Sequence, residues 1–133
     1  MKRIATLLAI FAATPMFAHH SVKHEFDSTR AMSITGVVTR VDWTNPHVWI
    51  HMDVKGADGR IVAWAVEFGA PGALTRAGFE KKFFDFTSPI TIELWPAFAD
   101  PQVGRSGNGR LLTLSDGRTF DVADKWPDAI NLK

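Results

Sequence analysis

The sequence predicts a mainly β domain: a small OB-like antiparallel barrel of five to six strands, with one short helix between strands 3 and 4. Three observations carry this reading. Segments 32–43, 47–55 and 60–68 are rich in Val, Ile, Thr and Trp, and the second alternates apolar with polar residues. A helix-type segment, 72–77, follows, with Pro71 at its start and Gly78 past its end. Further strands follow that helix. Three strands, a helix, then two or more strands is the order of a five-stranded OB barrel. An open antiparallel sheet or a small sandwich is the alternative.

Each element has a local reason. In 32–43, Gly36 interrupts an otherwise β-rich run and marks a bulge or bend. Thr44-Asn45-Pro46 is a turn. In 47–55, Val48, Ile50, Met52 and Val54 face the core, and His47, Trp49, His51 and Asp53 face away. Gly56-Ala57-Asp58-Gly59 closes a hairpin, and 60–68 returns with Val62, Trp64, Val66 and Phe68 inward. Ala70 is a poor helix N-cap. Segment 80–88 reads as a loop carrying Phe83, Phe84 and Phe86. Segment 89–95 is a fourth strand, with Ile90, Ile92 and Leu94 inward. Segment 96–108, with two Pro and several Gly and Ser residues, reads as a long loop. A last hairpin, 110–114 with 118–122, turns at Asp116-Gly117. Val22 and Phe26 are candidate anchors of the polar stretch 19–30, and the tail reads as partly ordered through Trp126.

Residues 1–18 form a separate unit. Lys2 and Arg3 precede an uncharged run, 4–13, and Thr14-Pro15-Met16-Phe17-Ala18 ends on a small residue. This is the pattern of a secretory signal peptide cut after Ala18. The run is too short for a membrane span. The remaining chain, 19–133, is expected to form a single periplasmic domain. Losing Lys2 and Arg3 leaves 13 basic against 14 acidic residues, which disfavours nucleic acid as a partner. With no cysteine, disulfides, thiol catalysis, zinc–thiolate sites and iron–sulfur clusters are excluded. No nucleophile elbow, phosphate loop or dinucleotide fingerprint is present, so the sequence offers no catalytic residues. A redox enzyme at an open copper site is a minor third reading. Glu25, Asp27, Glu67 and Glu93 read as solvated charges.

The functional signal lies in the histidines. All five, His19, His20, His24, His47 and His51, fall in the first two-fifths of the chain. Cleavage after Ala18 makes His19 the terminal residue, and its α-amino and ring nitrogens can then hold one ion together. The α-amino pKa, near 7.7–8.0, leaves part of it unprotonated at neutral pH. A third nitrogen from His47 or His51 would complete a T-shaped site like the histidine brace of copper proteins. Imidazole nitrogens suit copper. His47 and His51 stand about 13 Å apart along a strand, so one ion takes at most one of them. The expected ligands are His19 and His47, with His20, His51 and Asp53 as second choices. Asp53 is either a ligand or the carboxylate that orients His51. Ser21 at the third position excludes the terminal copper motif that needs His there. Bland readings stand beside these: the histidines as a solvated leader and as ordinary strand and turn residues. The competing function is a metal-free binding module. Its outward Trp49 and Trp95 would take a protein or saccharide partner, or would merely be packed over. Trp43 is expected to brace the turn.

Ala18-His19-His20-Ser21, Phe26-Asp27, Thr35-Gly36-Val37-Val38, Trp43-Thr44-Asn45-Pro46-His47 and Trp64-Ala65-Val66-Glu67, with the helix from Pro71 to Gly78, resemble one exported bacterial family. It is domain-of-unknown-function family 6152. The resemblance implies a small exported β domain and no assigned activity. Its motif positions here are His19, His20, Ser21, Trp43, Asn45, Pro46 and His47; the stretch after Gly78 looks individual.

Overall fold

One long first strand serves two neighbours, and this closes the sheet on itself. The structure is a computed structural model that describes residues 25–99 and 104–122. Strand β1 (Met32–Asp42) pairs through its first half with β4 (Pro89–Pro96) and through its second half with β2 (Trp49–Lys55). β2 pairs with β3 (Ile61–Glu67), and β4 with β5 (Arg105–Thr113), all antiparallel. β3 and β5 then pair in parallel, from Trp64 with Arg105 to Glu67 with Asn108. The circuit β1-β2-β3-β5-β4 is a closed five-stranded barrel, and β6 (Thr119–Asp121) lies along β5 as an extra strand. This is the OB-like architecture expected from the order of elements.

The inward positions are those the alternation predicts. Ile50, Met52, Trp64, Val66, Phe68, Ile90, Ile92, Leu94 and Leu112 are all buried in one core. Between β3 and β4 lies a single short helix among the described residues, α1 (Pro71–Arg76), which contributes Leu74 to that core. No side chain caps its start, as Ala70 implies. Its end is a Schellman turn: Gly78 has φ 84°, Phe79 N–H donates to Leu74 O at 2.9 Å, and Gly78 N–H donates to Thr75 O at 3.0 Å. The turn sets Phe79 at the hub of an aromatic cluster, with ring centroids 5.1 Å from Phe120, 5.3 Å from Phe84 and 5.9 Å from Trp43. Segment 80–88, expected as a loop, contains a 3-10 turn at Lys81–Phe83.

Two expectations need correction. The β1 irregularity is not at Gly36 but at Thr39, where the register with β2 shifts between Val38 and Arg40. Gly36 pairs on both sides, with Val54 and Ile90, and a Cβ there would strike the Asp53 carbonyl. Its purpose is close approach of two strands. Likewise, 96–108 is not loop throughout, because β5 already begins at Arg105. A Cβ on Gly109 would fall on the Phe68 ring, and one on Gly107 would meet the Leu94 side chain. Glycine there lets β5 pack against a full core; it does not break the strand.

Two predictions follow from the packing and the turns. Gly109→Ala should destabilise the domain by about 1–3 kcal/mol through overpacking against Phe68, read from chemical denaturation midpoints. Asp85 pins the turn into β4: its Oδ1 accepts from Ser88 N–H at 2.7 Å and Thr87 N–H at 2.8 Å. These bonds, the Ser88 backbone one foremost, hold its carboxyl well below the ordinary value of 3.8. The stabilisation is therefore complete above that value and is lost as pH falls through the depressed one. Asp85→Ala should be less stable than the parent at neutral pH, and the gap should narrow as the medium is acidified below the ordinary carboxylate range. Melting temperatures across a pH series check this.

Candidate functional site

The candidate site is built on the outer face of the barrel, where the start of β2 and the end of β3 meet the first half of β5. The Trp43-Thr44-Asn45-Pro46 turn, with a cis Asn45–Pro46 peptide, leads the chain from β1 into this region. Trp43 ties the turn to Phe79. Val48 is held on both sides: its N–H donates to Gly69 O at 3.1 Å, and its carbonyl accepts from Phe68 N–H at 2.8 Å. These bonds place His47 beside the end of β3. There, His47 Nδ1 lies on Glu67 Oε1.

Glu67 is the residue that sequence reasoning missed. It is only 7% exposed, although it points out of the barrel. A buried carboxylate is costly unless partnered, and the His47 ring is such a partner. The signal that would have found it is register: Trp49 pairs with Glu67 and Glu67 with Asn108. Asn108 is fully buried, with Nδ2 reaching Glu67 O at 3.5 Å, and its Oδ1 has no hydrogen-bond partner among the described residues.

The dyad opens into a groove of about 680 Å³. Trp49, Ala65 and Ser106 line its floor, and Glu25, Phe26 and Phe98 line its rim. The rim forms because the segment before β1 runs along the segment after β4. Asp27 N–H donates to Pro96 O at 2.8 Å, Phe98 N–H donates to Glu25 O at 3.0 Å, and Phe26 bridges to Ala97. Phe26 is buried, as expected of an anchor; Val22 lies outside the described residues. Asp27 is not a solvated charge either. It is buried and accepts from the Thr29 hydroxyl at 2.6 Å, which holds its carboxyl below the ordinary value.

The other expected site residues are distributed differently. His19 and His20 lie outside the described residues, as do the segment read as a signal peptide and the tail from 123. His51 is separated from His47 and belongs to a second cluster. Its Nε2 lies 2.9 Å from Asp42 Oδ2 and 2.8 Å from Arg40 Nη2. The carboxylate beside His51 is thus Asp42 across the strand pair, in place of Asp53, because Arg40 and His51 are register partners. Asp53 is exposed farther along β2. Among the described residues, no three His, Asp or Glu side chains gather in metal-binding geometry. Trp49 and Trp95 are both half-buried and do not form one open platform: Trp49 lines the groove, whereas Trp95 lies under Arg110, whose guanidinium carbon is 3.9 Å from the ring centroid. No helix among the described residues is long and apolar enough to cross a membrane.

Residues 7–106 match the model of a family described as a family of unknown function, DUF6152. The chain belongs to this family. No curated protein matches the sequence. The family match spans β1 to the start of β5, and therefore includes the turn, the His47–Glu67 dyad and the groove.

Removing His47 strands the Glu67 carboxylate in a buried place, whereas the His47 side chain is itself 36% exposed. His47→Ala should cost about 1–3 kcal/mol of folding stability, and Glu67→Gln less than that, as measured by urea denaturation.

Proposed function

We propose that this is an exported, periplasmic copper-binding protein that holds one copper ion through the processed N-terminal His19 and through His47. The observation that carries the reading is the buried Glu67 carboxylate on His47 Nδ1. A carboxylate on one ring nitrogen orients a ligating imidazole and raises its basicity. With Nδ1 engaged, Nε2 is the nitrogen whose lone pair a cation takes. Position supports the same reading. Glu25 lies on the groove rim, and six residues span at most about 20 Å, so His19 is within reach of His47. His20 is the reserve ligand from the leader. His51 and Asp53 take no part in this reading, since His51 is engaged with Asp42 and Arg40 and Asp53 lies farther along β2. Export with cleavage after Ala18 is integral to the proposal, because it creates the terminal amine. The bound ion would be stored or delivered.

A second reading keeps the groove and dispenses with the metal. The half-buried Trp49 and the 62%-exposed Phe98 offer apolar and aromatic surface to a protein or saccharide.

Copper(II) titration of the processed protein, by calorimetry with paramagnetic resonance, separates the two. The expected result is tight one-to-one binding with a nitrogen-rich axial spectrum, lost in His19→Ala, in His47→Ala and in a form that retains Ala18. Glu67→Gln should weaken binding about 10- to 100-fold. Weak binding indifferent to all four changes would overturn the copper reading and leave the groove to the second.

A further inference from the structure

A second depression lies on the same outer face, beyond Ala65 from the dyad. Its volume is about 290 Å³, near the lower limit for a small-molecule site. The floor is open because Ala63 and Ala65 are the outward residues of β3 there. One wall is Arg40 with His51, and the opposite wall is Arg105. Register produces this arrangement: Arg40 pairs with His51, His51 with Ala65, and Arg105 enters from the parallel β5 strand. The Arg105 guanidinium carbon also stands 6.0 Å from the Trp64 ring centroid.

The charge on these walls has one sign. Two guanidinium groups line the depression and no carboxylate does. Asp42 sits behind His51 and ties down Arg40 Nη2 at 2.9 Å, so it positions that side chain while offsetting part of its charge. Asp53, the outward register partner of Ala63, opposes the field from one end. Two arginines facing each other across a small-residue floor present forked donors to a planar or tetrahedral oxyanion.

We infer that this depression binds a small oxyanion, a phosphate or carboxylate group, between Arg40 and Arg105. The site is independent of the copper reading and uses none of its ligands.

The test is a nitrogen-15 NMR titration of the mature, metal-free protein in chelator, with inorganic phosphate in one arm and succinate in the other. Saturable shifts confined to residues 39–40, 51–52, 63–65 and 105 are expected with one anion or both, and the arm that saturates identifies the group. Arg105→Gln should weaken binding about tenfold, the loss of one charged hydrogen-bonding partner. Asp53→Asn should tighten it. Arg118→Gln, which removes an arginine paired with Asp116 on the β5–β6 turn, should leave it unchanged. The melting temperature of the parent and of Arg118→Gln should rise with the anion. Linear, unsaturating shifts with both anions, or equal weakening in Arg105→Gln and Arg118→Gln, would overturn the inference.

Discussion

Parallel pairing of β3 with β5 is the constraint on which the rest of the molecule hangs. It closes a sheet that would otherwise end in two open edges, and it does so between strands distant in sequence. Closure requires β5 to lie close over a filled core. Gly107 and Gly109 permit this, since Leu94 and Phe68 occupy the space their side chains would need. The same pairing brings Ser106 and Asn108 alongside Ala65 and Glu67. Without it, neither depression on the outer face would have its far wall.

That face carries polar chemistry on a barrel otherwise built from ordinary alternation. Glu67 occupies an outward position yet is buried, because the Glu25–Ala97 region lies over the strand ends. Burial makes its pairing with His47 consequential: in a low-dielectric setting a carboxylate needs its partner more than it does at the surface. Exposed pairs such as Arg60 with Asp58 and Lys82 with Glu80 are worth far less. Arg40, Asp42 and His51 form a third kind of arrangement, in which one carboxylate orients two potential donors at the lip of a pocket.

The outward row that starts at His47, just before β2, and continues along that strand therefore serves two places. His47 and Trp49 belong to the groove, and His51 belongs to the arginine-walled depression. Strand geometry separates the histidines because residues four apart on one face advance along the strand without curling back, unlike the same spacing on a helix. Their nearness in sequence is thus no sign of a shared ion.

The amino-acid sequence by itself determined the inside of this barrel. Period-two alternation in β2 and β4, the apolar run of β3, the Pro71–Gly78 helix signals and the hairpin turns are local features, and local features specify elements and their buried faces. The family membership was legible in the same way, through Trp43-Thr44-Asn45-Pro46-His47 and the residues around it. What tertiary structure decided was every relation between strands: that Gly107 and Gly109 belong to a strand, that Glu67 is buried beside His47, that Asp42 and not Asp53 meets His51, and that Arg105 and Arg40 line one depression. Each depends on register across β1–β2, β2–β3, β3–β5 or β4–β5, and register is set by how the whole sheet curls and closes. No window of sequence contains that information, because the residues that meet are brought together only when the barrel is complete.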